Sequence, residues 1–146
     1  EPYKLMEKDT AKVFEEAQKE AKIVGLTATE QLYMYSVLTG MKDLDINFVS
    51  FFRDGDRMPL DPRVHPDRNI PLNTVLYNNV IFTKMPKGQA LVDYLRWCEE
   101  NDEELPETLI FTDDKEKNVQ SVVDCVPKVF DDISIIGLHY VPSEQE

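Results

Sequence analysis

Short apolar runs with strand composition alternate with amphipathic helical stretches along most of this chain, and that alternation constrains the fold more than any other feature. Asp9 or Thr10 can cap a helix running to about Ala21, with Val13, Phe14, Ala17 and Ala21 on one stripe. Lys22 to Leu26 (KIVGL) follows as a short strand, with Thr27 at its C-terminal end. Thr29 can cap a second helix that turns Leu32, Tyr33, Val37 and Met41 inward, and Ile46 to Phe52 (INFVSFF) again has strand composition. Val75 to Thr83 (VLYNNVIFT) reads as one strand. Pro86, tolerated in a first helical turn, then opens a helix through Leu91, Tyr94, Leu95 and Cys98. After a solvated turn at Glu99 to Glu104, Thr108 to Thr112 (TLIFT) is a strand running into Asp113 and Asp114. A helix carrying Val119, Val122, Val123 and Val126 comes next, and Ile133 to Leu138 (ISIIGL) is the last strand before a tail at Pro142 to Glu146.

Strands alternating with helices predict parallel βαβ units and an α/β three-layer sandwich. The 146 residues suit a single domain over 1–146. Its one long irregular stretch is Arg53 to Asn73, where Pro59, Pro62, Pro66 and Pro71 preclude a regular helix and predict an excursion over the surface. Loops of that length serve as lids over a site or as inert packed insertions. In such sheets ligands bind at the C-terminal strand ends, and both Thr27 and the Asp113-Asp114 pair fall there.

Charge narrows the function classes. A net charge of −12, from 28 acidic and 16 basic residues, repels nucleic-acid phosphates, so no nucleic-acid partner is expected. No apolar run approaches the roughly 20 residues of a membrane span, so no transmembrane segment is expected. No signal peptide is visible, and the start at Glu1-Pro2-Tyr3 leaves open a removed leader or a longer parent, hence either a cytoplasmic or an exported soluble protein. Cys98 and Cys125 are too few for a disulfide scaffold, lack metal-ligand spacing and read as buried free thiols.

Three places carry candidate chemistry. Asp113 and Asp114, adjacent carboxylates between an apolar strand and a helix, repel each other unless a cation holds them, and Mg²⁺ suits such a pair. Capping of the following helix explains them equally well. Lys87 opens a helix against the dipole, which is better explained if the ammonium meets carboxylates or a phosphate; taken alone it reads as a solvated lysine. Thr27 offers a hydroxyl and a backbone N–H to a phosphate oxygen; taken alone it is a turn threonine. His65 and His139 lack any triad context and read as surface or packing histidines.

In this order and spacing the three places resemble the later motifs of the haloacid-dehalogenase-like (HAD) superfamily. Leu26-Thr27-Ala28 looks like its second motif, which binds phosphate; Lys87 in Lys87-Gly88-Gln89-Ala90-Leu91 looks like its third; Ile110-Phe111-Thr112-Asp113-Asp114, with Asn118 in support, looks like its acidic fourth. The resemblance covers roughly Tyr3 to Leu138, is closest to a HAD-like branch of unknown function, and implies a Rossmann-like, mostly parallel sheet. It further implies Mg²⁺ at Asp113 and Asp114, a small phosphorylated substrate held by Thr27, Ala28 and Lys87, and Lys87 as the catalytic cation.

One departure matters. The superfamily places a nucleophilic Asp-x-Asp after a first strand upstream of the second motif, whereas Glu1 to Ala21 read here as a lead-in and a helix. Asp54-Gly55-Asp56 imitates that motif but falls between the second and third, and Asp-Gly favours a surface turn. By the resemblance the first strand lies mid-sheet, so the strands at Lys22 and Val75 should be separated from those at Thr108 and Ile133. A complementing N-terminal segment or chain is then expected, or a sheet that closes differently. The function implied is a phosphatase or phosphotransferase module completed from outside this chain; the alternative is a non-catalytic HAD-like binding protein.

Overall fold

A computed structural model of the chain describes residues 10–28, 34–45, 57–59, 74–77 and 79–141. In chain order these form helix α1 (Thr10–Glu20), strand β1 (Gly25–Thr27), helix α2 (Met34–Asp43), strands β2 (Arg57–Pro59), β3 (Thr74–Tyr77) and β4 (Val80–Thr83), helix α3 (Lys87–Glu100), strand β5 (Thr108–Asp113), helix α4 (Glu116–Cys125), a 3-10 turn (Val126–Lys128) and strand β6 (Ser134–His139). Thr29, Leu32, Tyr33, Ile46 to Phe52, Asp54 to Asp56, His65 and the tail from Pro142 lie outside the described residues, as does most of the Arg53 to Asn73 stretch.

The run expected to form one strand, Val75 to Thr83, is a hairpin: β3 and β4 are antiparallel, with Thr74 opposite Thr83 and Tyr77 opposite Val80. Apolar residues flank the turn on both sides without a glycine to punctuate it, yet Asn79 takes φ 62°, the left-handed conformation that asparagine tolerates and tight hairpins require. The same residue ties in β1. Its Nδ2 donates to the Ile23 carbonyl at 2.7 Å, and its own carbonyl accepts from Gly25 N–H at 3.0 Å. β1 then runs parallel to β4, Leu26 opposite Ile81. It covers Gly25–Thr27 and not Lys22 to Leu26, so Thr27 is its last residue. β2 pairs antiparallel with β3, which corrects the expectation that the proline-rich stretch is irregular throughout. Pro59 is accommodated because β2 is an edge strand, where proline is tolerated.

These strands make a mixed sheet in the order β1-β4-β3-β2, while β5 and β6 pair in parallel as a separate two-stranded sheet. Among the described residues the protein is therefore mixed α/β with two small sheets, one of them parallel. Among the described residues no strand lies between β1 and β5.

Helix α3 joins the two sheets. Its Leu91, Val92, Tyr94, Leu95 and Cys98 are buried in one apolar cluster that reaches Leu76 and Ile81 of the hairpin on one side and Phe111, Val119 and Val122 on the other. Each fully buried Leu, Ile or Val there contributes about 1.5–3 kcal/mol. The α3–α4 approach depends on Gly88, since a Cβ at that position would overlap the Ser121 carbonyl. The α3 C-terminus is closed by Asp102 at φ 57° with Glu103 N–H donating to the Cys98 carbonyl at 2.8 Å, a Schellman cap. On the opposite face of the four-stranded sheet, Val37 and Leu38 of α2 pack on Val80 and Phe82. Val123 is exposed, and of the two free thiols, both expected buried, Cys98 is buried while Cys125 is only half-buried.

Candidate functional site at the C-terminal strand rim

Local turns bring the ends of β4 and β5 together. Thr83 Oγ1 sits 2.8 Å from Thr74 Oγ1 and accepts from Met85 N–H at 2.9 Å, which fixes the chain between β4 and the start of α3. Pro86 then occupies the N-cap position and Lys87 the first helical turn. A second clamp holds that turn, because Gly88 N–H donates to Ser121 Oγ at 3.0 Å. From this fixed base Lys87 Nζ reaches Asp113 Oδ2 at 2.5 Å, with only 13% and 7% of the two side chains exposed.

Asp113 ends β5 and holds three donors. Besides Lys87, its Oδ1 accepts from Lys115 N–H at 2.8 Å and from Asn118 Nδ2 at 3.2 Å. Burial pushes the carboxyl up, but the hydrogen bonds from Lys87, Lys115 and Asn118 outweigh it and hold Asp113 below the usual carboxylate range. The Lys115 bond is a local turn contact just before α4; Lys115 itself holds the N-cap position and no side chain caps the helix, so the capping explanation of Asp113 is not realised. Asp114 behaves differently. It is exposed, and the contact found for it is to its backbone carbonyl, which accepts from His139 Nε2 at 3.1 Å.

Of the residues singled out from sequence, the structure thus joins Lys87, Asp113 and Asn118 directly. Thr27 ends β1 opposite Phe82, one residue before Thr83 at the end of β4, and Ala28 follows it in sequence. Thr83 and Ser121, which position Lys87, carried no sequence signal of their own. The one hint was Gly88 beside Lys87, since a glycine in a helix's first turn allows close approach of a neighbour.

The residues have capacity to spare. An ammonium has three donors and Lys87 uses one on Asp113; a carboxylate has about four lone-pair sites and Asp113 uses three. Mg²⁺ takes one or two carboxylates with water and phosphate oxygens completing the shell. Asp113 has one lone-pair site left for such a shell, and Asp114 is exposed to solvent. No group of three or more His, Cys, Asp or Glu able to hold a metal exists among the described residues, so further ligands would have to come from elsewhere.

Architecture and rim together define a mixed α/β protein with a lysine–aspartate pair at the C-terminal ends of its strands. Among the described residues no helix is long and apolar enough to cross a membrane. The chain belongs to the family described as "Protein of unknown function (DUF2608)", whose model matches residues 1–146. Comparison with curated proteins and with solved structures gives no match.

Proposed function

We propose that this chain carries the phosphate- and metal-binding part of a Mg²⁺-dependent, HAD-like phosphatase or phosphotransferase, with the nucleophile supplied from outside the described residues. The supporting observation is the contact between Lys87 and Asp113, 26 residues apart in sequence, at the ends of β4 and β5. On this reading the two sheets are halves of one Rossmann-like sheet within a three-layer sandwich. Lys87 keeps two N–H donors for an incoming phosphate and so draws negative charge off the transferring group, the kind of electrostatic help that is worth most in a partly dehydrated site. Thr27 and the backbone at Ala28 hold another phosphate oxygen. Asp113 and Asp114 hold Mg²⁺, which when bound neutralises phosphoryl charge, and Asn118 orients Asp113.

The test is turnover of p-nitrophenyl phosphate with Mg²⁺ by the polypeptide as its source makes it, compared with Lys87→Met and Asp113→Asn. Loss of about 100-fold or more in both variants supports the reading. Hydrolysis that is indifferent to Mg²⁺ or to both substitutions sinks it. A non-catalytic binding role is the second reading, favoured by Asp113 already being held by Lys115 N–H and Asn118. It is supported instead if orthophosphate binds, measured calorimetrically, while no turnover occurs.

A further inference from the structure

The two sheets turn open edges toward each other. Among the described residues β1 pairs only with β4, and β5 only with β6. Between them runs a groove of about 350 Å³, walled by Val24 and Leu26 on one side and by Leu109 and Ile110 on the other, with Leu91 and Leu95 of α3 as its floor.

The ladders fix which backbone groups face it. Gly25 N–H donates to the Asn79 carbonyl at 3.0 Å, so Gly25 and Thr27 point toward β4 and the N–H and C=O of Leu26 point into the groove. The Glu107 and Asp113 carbonyls accept from Ser134 and Tyr140 at 2.9 and 2.8 Å, so the odd-numbered residues point toward β6. That leaves the N–H and C=O of Thr108, Ile110 and Thr112 pointing into the groove from the other side. Two facing rows of such groups form a template for another strand. The face of β5 and β6 away from α4 tells the same story. Ile110 is 62% exposed, Ile136 45% and Leu138 49%, whereas parallel strands are ordinarily covered on both faces.

We infer that this groove takes one extended strand, parallel to β1 and β5, which unites the two sheets, and that the strand is supplied by polypeptide that precedes Glu1 in the source protein and leads into α1. Connectivity selects that source. Only four residues, Ala21 to Val24, separate α1 from β1, the spacing of a helix returning to a parallel sheet. A strand–helix–strand unit sets its first strand parallel to its second with the helix as the crossover. β4 already fills the other side of β1, so the position left for that first strand is the groove. The strand should span about four to six residues, roughly 13–20 Å. It should be apolar at both alternating sets of positions, because one set meets the α3 floor and the other extends the Ile110 face. Its C-terminal end arrives at the rim that holds Lys87 and Asp113. The inference does not rest on the proposed chemistry: a strand without a carboxylate at that end would complete the sheet and leave the phosphotransfer reading without a nucleophile.

Amide hydrogen exchange tests it, comparing the 146-residue chain with the polypeptide as its source makes it. The Leu26, Ile110 and Thr112 amides should exchange rapidly in the 146-residue chain and at least about tenfold more slowly in the source polypeptide. Rapid exchange in both, or a source polypeptide that begins at Glu1, overturns the inference. Protection of the 146-residue chain that grows with its own concentration assigns the groove to a second copy and also overturns it, as does protection lost when a separate, co-purifying polypeptide is removed. A second variant reads the same point. Ile110→Pro removes one groove-facing N–H and leaves the β6 ladder intact, so it should leave the melting temperature of the 146-residue chain nearly unchanged and lower that of the source polypeptide by several degrees. Equal effects in both contradict the assignment.

Discussion

Replacing Asp113 with Asn removes one charge while keeping the side chain's shape, and the structure sets what that should cost. Three donors converge on this carboxylate: Lys87 Nζ at 2.5 Å, Lys115 N–H at 2.8 Å and Asn118 Nδ2 at 3.2 Å. With 13% of its side chain exposed, Lys87 recovers little hydration when its partner is neutralised. Hydrogen bonds to charged groups contribute about 1.5–3 kcal/mol, and breaking half of a buried pair costs about 3–5 kcal/mol. The residual exposure pulls this pair toward the lower end, so Asp113→Asn should destabilise by about 2–3 kcal/mol. For a domain of this size each kcal/mol lowers the melting temperature by about 2–4 °C, giving a fall of roughly 4–12 °C.

Circular dichroism melts at pH 7 of the wild type, Asp113→Asn, Lys87→Met and the double variant isolate the pair. The coupling energy should be about 1.5–3 kcal/mol. Coupling below about 0.5 kcal/mol, the level at which independent sites add, would refute the reasoning. The pH dependence carries a sign as well. The folded carboxyl of Asp113 lies below its unfolded value, near 3.9, so its contribution is fully present above that pH and is lost as pH falls through the folded value. The stability gap between wild type and Asp113→Asn should therefore hold from about pH 5 upward and close below about pH 4.

Three further outcomes follow from the packing around the site. Gly88→Ala gains helix propensity of about 1 kcal/mol but drives its methyl into the Ser121 carbonyl, so thermal melts should show a net loss of about 1–2 kcal/mol. Thr83→Val strands the Thr74 hydroxyl and the Met85 N–H, which should cost about 1–3 kcal/mol in urea unfolding, and adding Thr74→Val should recover part of that loss. Asn79→Ala places a Cβ-bearing residue without a local hydrogen bond at φ 62° and removes the bond to the Ile23 carbonyl; exchange of the Gly25 and Thr27 amides should accelerate more than that of α4.

The C-terminal half was the most legible part of the sequence because each element there is short, apolar on one stripe and bounded by polar residues. Thr108 to Thr112, the Val119–Val122–Val126 stripe and Ile133 to Leu138 all fall within a residue or two of β5, the buried face of α4 and its 3-10 extension, and β6. The hairpin was not legible. An asparagine pair in an apolar sequence run carries no glycine signal, and only the antiparallel pairing of β3 with β4 and the φ of 62° at Asn79 reveal that the chain reverses. β2 was hidden for the opposite reason: prolines mark the stretch as irregular, while pairing with β3 orders three residues of it. At the rim, Lys87, Asp113 and Asn118 could be nominated because residues at strand ends are the ones a parallel unit brings together. That Asp113 also serves the Lys115 turn is a matter of rotamer and distance, and sequence encodes neither in readable form.

The pairing of Lys87 with Asp113 also limits what phosphate chemistry the rim can support. A lysine bound to a carboxylate is a neutral pair, and at about 4 Å with an effective dielectric near 20 each unit charge on an incoming phosphate gains or loses about 4 kcal/mol against either partner. Attraction to Lys87 and repulsion from Asp113 then nearly cancel, and the strongly acidic chain, at −12 overall, adds a further small repulsion. On the phosphotransfer reading, a divalent cation on Asp113 and Asp114 is what breaks that balance, so phosphate and Mg²⁺ must each tighten the other's binding by the same factor. Calorimetric titration should find orthophosphate binding weak or absent without Mg²⁺ and strengthened by about tenfold or more with it, a coupling of about 1.4 kcal/mol. Equal phosphate affinity in both conditions would mean that Lys87 is free of Asp113 when it meets the anion, and the geometry that ties the two together would then be structural only.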